Sequence, residues 1–168
     1  MRKSIKKVSV LVAVLMIGVS NLLAQSTKYS DKDIYGTWMC IGKQYDGENR
    51  KDWGKANGFT SFKYYGADGE YCCALISRQE NGKIFVSPHE YGTYTYKDGW
   101  YSEMGRSKTK TGIIFTDKDH FHGRWLNSTD YWKRIKISKA TLKYILELSK
   151  LRNVPEDVQM DIDEIMFK

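Results

Sequence analysis

The feature that most constrains this chain is a series of short apolar and aromatic runs between Ile34 and Ile137, each ended by turn residues. Candidate strands are Ile34–Lys43, Gly58–Tyr65, Glu70–Ser77, Lys83–Val86, Tyr91–Tyr96, Gly99–Met104, Gly112–Thr116, His120–Leu126 and Asp130–Ile137. The breaks contain Gly66-Ala67-Asp68-Gly69, Glu80-Asn81-Gly82, Lys97-Asp98-Gly99 and Thr116-Asp117-Lys118-Asp119. Asp-Gly and Asn-Gly supply the positive φ of tight hairpin turns. Strands at this spacing make an antiparallel sandwich or barrel. No helical pattern of ten residues interrupts them, which argues against a parallel α/β sheet.

Aromatic residues separate the two alternatives. Of the 23 Phe, Trp and Tyr residues, 21 lie between positions 25 and 137. Thr93-Tyr94-Thr95-Tyr96 alternates cleanly, and so does Thr60-Phe62-Tyr64 against Ser61-Lys63-Tyr65. Buried tyrosine hydroxyls need hydrogen-bond partners, which a semi-polar cavity provides more readily than a dry sandwich core. The expected fold is therefore all-β, a small antiparallel up-and-down barrel over residues 33–137.

The ends of the chain read differently. The formal charge of +7 includes Arg2, Lys3, Lys6 and Lys7, all within residues 1–24, which hold no acid. The remaining +3 is spread over a mixed surface without the basic stripe of a nucleic-acid binder. A basic start, an apolar run Val8–Val19 and a small residue at Ala24 before polar Gln25 form a signal peptide over 1–24, cleaved near Ala24/Gln25. The apolar run of about a dozen residues is short for a span that needs roughly 20, so no stable membrane span is expected after cleavage. The mature protein would be periplasmic or extracellular, with residues 25–32 as a short linker.

After Ile137 the apolar period becomes helical. Ser138 caps a first helix carrying Leu142, Ile145 and Leu148. Pro155, followed by Glu156 and Asp157, opens a second whose apolar side is Val158, Ile162, Ile165 and Met166. A two-helix appendage over 138–168 is expected to cover the barrel, with docking of a protein partner as the second use. Cys40, Cys72 and Cys73 allow at most one intramolecular bridge, and buried thiols are the preferred reading.

Gly36-Thr37-Trp38 on the first strand resembles the G-x-W signature of lipocalins, and Trp132-Lys133-Arg134 on the last resembles the W-x-R ending of lipocalin-like domains. Phe62–Tyr71 and Gly92–Glu103 are similar to middle repeats of small exported lipocalin-like families of Gram-negative bacteria, many of unknown function. The resemblance implies a barrel in which Gly36, Trp38 and Arg134 are structural. Independently of it, a Trp on the first strand can plug one end, and an Arg on the last can stack on that indole within roughly 6 Å.

The function expected is non-catalytic binding of a small hydrophobic or amphipathic ligand. Phe62, Tyr64, Tyr94, Tyr96, Tyr101 and Trp132 are its wall and Glu103 its polar anchor. The alternative is a protein-interaction or inhibitor module with a filled barrel. No Gly-x-Ser-x-Gly elbow, phosphate loop or Cys/His arrangement indicates an enzyme, and no cofactor is implied. Glu70, Glu90 and Glu103 provide carboxylates, but their separations are not fixed by sequence. His120 and His122, with His89 or Glu103 as a third ligand, have metal-compatible spacing, although a polar sheet face is preferred.

Overall fold

The structure is a computed structural model that describes residues 28–52, 59–78, 84–105, 108–151 and 158–160, the last group as backbone only. The leader predicted over 1–24 and Trp53 in the first loop lie outside the described residues.

A 3₁₀ turn, Asp31–Ile34, precedes ten strands: β1 Gly36–Tyr45, β2 Lys51–Asp52, β3 Phe59–Tyr65, β4 Glu70–Arg78, β5 Ile84–Lys97, β6 Trp100–Met104, β7 Lys108–Asp117, β8 His120–Trp125, β9 Ser128–Ile135 and β10 Val158–Met160. One helix, α1, covers Lys139–Lys150. Eight strands pair antiparallel with their sequence neighbours in the order β1-β3-β4-β5-β6-β7-β8-β9, and β9 returns to β1 to close the barrel. β2 adds a short ribbon to β1. This is a closed, up-and-down antiparallel barrel of eight strands.

The turn chemistry acts as expected. Asp98 and Gly99 both take positive φ (52° and 79°) in the two-residue β5–β6 hairpin, and Gly69 (85°) closes β3–β4. Two strands predicted separately, Lys83–Val86 and Tyr91–Tyr96, are one strand, β5. Pro88 lies within it, where no ladder partner among the described residues flanks the outer edge: β10 pairs with 84–86, and β6 pairs only from Thr93 onward. A residue without an N–H is tolerated at such an edge. A bulge in the β4–β5 ladder at Cys73/Ala74 absorbs the remaining irregularity.

Among the described residues the appendage has one helix, not the two expected. Residues 158–160 form a strand on β5, where a second helix was expected. An uncovered strand edge is a strong template for pairing, and the outer edge of β5 projects beyond the short β6. The first helix is capped as anticipated, with the Ser138 hydroxyl accepting from Thr141 N–H at 3.0 Å. Its Ile145, 1% exposed, packs on Phe62, Cys72, Ala74, Ile76 and Val86, on the outside of β3, β4 and β5.

The core therefore has two compartments. One lies between the sheet and α1. The other fills the barrel with Trp38, Cys40, Tyr65, Tyr71, Tyr94, Tyr101, Ile113, Phe115, Phe121 and Trp132.

Candidate functional site

One end of the barrel carries the β3–β4, β5–β6 and β7–β8 hairpins, and the 3₁₀ turn plugs it. Ile34 is fully buried, and its carbonyl accepts from Trp38 Nε1–H at 2.8 Å. The Trp38 ring meets Phe121 and Phe115 edge-on, with centroids at 4.6 and 6.0 Å. Trp38 and Arg134 are direct cross-strand partners, and the guanidinium carbon lies 4.1 Å from the indole centroid. Arg134 also donates to the carbonyls of Tyr35 and Asp33, both at 2.5 Å, and of Lys118, so one side chain ties turn, barrel and hairpin together. Gly36 has φ 118°, and a Cβ there would press on Arg134 Nη1 at 3.0 Å.

Further along the axis, Tyr65, Tyr94 and Tyr101 fill the bore, with centroids of Tyr65–Tyr94 and Tyr65–Tyr101 at 4.9 and 5.4 Å. Next to this layer is a buried ion pair. Lys63 Nζ lies 2.6 Å from Glu103 Oε1, with side chains 9% and 5% exposed. Three rings surround the ammonium: Trp125, Trp132 and Tyr101, with centroids at 4.6, 5.5 and 5.6 Å. Charges held this far from water need close pairing, and the ring faces add cation–π attraction.

Around this pair the hydroxyls of Tyr65 and Tyr101 and the indole N–H of Trp132 are buried, and the indole N–H has no hydrogen-bond partner among the described residues. Burial first, with the Glu103 charge contributing, holds both tyrosine hydroxyls well above the usual phenol range. They remain neutral donors near neutral pH. Toward the opposite end the lining loosens: Cys73, Glu90, Trp125 and Asp130 are only partly buried. Lys43 bridges Asp130 at 3.4 Å.

Of the predicted wall residues, Tyr94, Tyr96, Tyr101, Glu103 and Trp132 face the barrel interior. Phe62 and Tyr64 do not. They lie on the outer face, where Phe62 is buried and Tyr64 partly buried against the compartment under α1. The apolar parity of β3 was misleading because the helix makes the outside of this sector a second core. Lys63, Tyr65, Tyr71 and Trp125, none of them nominated, occupy the interior instead. The available signal was Lys63 itself, a lone cation among aromatics on a strand whose other face is wholly apolar or hydroxylic.

The remaining candidates lie elsewhere. His120 and His122 share the outer face of β8. His120 Nδ1 is 3.0 Å from Asp117, and His122 packs on Tyr131 at 5.6 Å, its pKa lowered by burial. Among the described residues no group of three or more His, Cys, Asp or Glu could hold a metal ion. All three cysteines are free thiols; burial pushes Cys40 and Cys72 up to about 12 and Cys73 to about 11. No helix among the described residues is long and apolar enough to cross a membrane.

Neither a protein-family model nor a curated protein matches the chain. Solved structures do. The chain is similar to a lipocalin-like protein from Bacteroides uniformis at 12% identity and a TM-score of 0.44, over 61% of this chain and 98% of that one. It is also similar to an uncharacterized protein from Bacteroides eggerthii at 10% identity and a TM-score of 0.44, over 60% and 98% of the respective chains.

Proposed function

We propose that this is an exported, non-catalytic binding protein that takes a small amphipathic molecule into the half of the barrel opposite the 3₁₀ plug. The observation that carries the reading is the cluster of neutral buried donors, Tyr65, Tyr101 and Trp132, gathered around the Lys63–Glu103 pair, of which the Trp132 indole N–H meets no acceptor among the described residues. Leaving one such group unsatisfied costs about 1–3 kcal/mol, so an acceptor-bearing polar head that reached them would gain free energy there. Trp125 and the partly exposed lining above would take the apolar part of the ligand. The buried, high-pKa thiols of Cys40 and Cys72 are poor nucleophiles, which supports binding rather than covalent chemistry.

The test uses 1-anilinonaphthalene-8-sulfonate, an aromatic anion, with the chain lacking residues 1–24. Saturable one-to-one fluorescence enhancement is expected, weakened about tenfold in Trp125→Ala by loss of one wall ring. The absence of saturable enhancement would overturn the reading. It would favour the filled-barrel interaction module, for which one observation speaks: Leu126, at the tip of the β8–β9 turn, is 94% exposed with φ 48°. Export is tested separately, by N-terminal sequencing of the protein recovered outside the cytoplasm, where Gln25 is expected as the first residue.

A further inference from the structure

A cavity lies at the plugged end, between the 3₁₀ turn, the β3–β4 turn and β5. It has a volume of about 280 Å³ and is lined by Asp31 and Tyr35 from the 3₁₀ turn, Ala67, Asp68 and Gly69 from the β3–β4 turn, and Tyr94 and Tyr96 from β5. Three features set its chemistry. Three of its seven lining residues are tyrosines, whose π faces attract positive charge. Its only ionisable groups besides these phenols are two carboxylates, and neither Asp31 nor Asp68 forms an ion pair among the described residues. Asp68 Oδ1 accepts the Glu70 backbone N–H at 3.0 Å, which fixes its position in the turn.

The rings are also fixed. Tyr94 donates its hydroxyl proton to the Gly66 carbonyl at 2.8 Å and packs on Tyr65 with ring centroids 4.9 Å apart. Tyr96 packs edge-on against Phe115 at 6.1 Å. Burial, with the charges of Asp31 and Asp33, raises Tyr96 to about 12, so the negative field of the turn reaches its hydroxyl. Lys32 and Lys97, adjacent in sequence, are exposed, as Asp31 and Asp68 are, but do not line the cavity, and Lys150, whose charge couples to Asp68, is paired with Glu70 at 3.8 Å. Small residues at Ala67 and Gly69 keep the β3–β4 turn from filling the space.

We propose that this cavity binds the head of a small organic cation, an alkylated ammonium. The aromatic walls suit a bulky, weakly hydrated cation, and the two carboxylates supply counter-charge. A bare metal ion is a poorer fit, because Asp31 and Asp68 are the only lining acids and tyrosine rings offer it no ligand.

The experiment is titration of the chain lacking residues 1–24 with choline, followed by NMR chemical shifts. The comparison ligand is 3,3-dimethylbutan-1-ol, its uncharged isostere. Choline is expected to saturate, to bind about tenfold more tightly than the alcohol, and to be unaffected by equimolar calcium. Asp31→Asn and Tyr96→Leu are each expected to weaken it about fivefold, and Tyr96→Phe, which keeps the ring, to change it less than twofold. Equal binding of choline and the alcohol, failure of choline to saturate, or displacement by calcium would each overturn the proposal. So would unchanged affinity in both Asp31→Asn and Tyr96→Leu, provided thermal melting shows that both are folded.

Discussion

An ammonium and a carboxylate 2.6 Å apart inside a barrel are costly to bury and more costly to separate. Each loses water, and their attraction in a low-dielectric interior offsets that loss only while both are present. Lys63→Met and Glu103→Leu are each expected to destabilise by about 3–5 kcal/mol, because each leaves a lone buried charge. The double variant, which removes both charges and keeps the volume, should fall within roughly 1 kcal/mol of the native protein. Urea denaturation of the four proteins decides it. Additive losses would show that the pair is not acting as a unit. Sequence reading located Glu103 but passed over its partner, for a physical reason. Alternation along β3 identifies two faces without saying which one is inside, and a strand buried on both sides gives apolar residues to each. Trp38 and Arg134 were legible because their interaction depends only on barrel closure, which brings the first and last strands together wherever the lumen lies.

Strand positions were legible for a similarly local reason: each hairpin requires particular φ values, and Gly, Asp and Asn announce them. What eluded sequence was the context of each edge. Pro88 marks a break in an ordinary strand, yet here it occupies a stretch of β5 without an outer ladder partner among the described residues, and the chain continues through it. Val158–Met160 has helical flanking signals, yet the projecting edge of β5 recruits it as a strand. α1 shows the opposite case, in which local and tertiary signals agree. Ser138 satisfies one of the free N–H groups of the first turn, and Ile145 anchors the apolar stripe in the outer compartment. Ser138→Ala should cost about 1 kcal/mol and Ile145→Ala about 2–5 kcal/mol, the latter through lost burial and the cavity left between α1 and the sheet. Chemical denaturation measures both. A negligible loss for Ile145→Ala would mean that the helix is not part of the cooperative fold.

At the scale of the whole molecule, the interior is unusual in how many weak acids it holds in their neutral form. Burial raises the thiols of Cys40, Cys72 and Cys73 to about 12, 12 and 11 from an ordinary 9.0. The phenols of Tyr65, Tyr71, Tyr94, Tyr96 and Tyr101 are likewise raised, again chiefly by burial. Below their unfolded values these groups are protonated in both states and give stability no slope with pH. Above about pH 9 the unfolded chain begins to release its thiol protons, and above about pH 10 its phenol protons, while the folded barrel retains them. The unfolded state then binds fewer protons, and stability falls as pH rises, by at most about 1.4 kcal/mol per pH unit for each group in this window. Stability should therefore be nearly flat in these groups from pH 6 to 8 and fall with increasing steepness from pH 9 to 11. Urea midpoints across that range give the slope. Absorbance at 295 nm should show the interior tyrosines ionising together with unfolding rather than before it. A midpoint that stays constant to pH 11, or phenolate absorbance beyond that of the seven other tyrosines while the barrel remains folded, would mean that water reaches these side chains. The packed tyrosine layer would then not be the floor on which any lumen ligand rests.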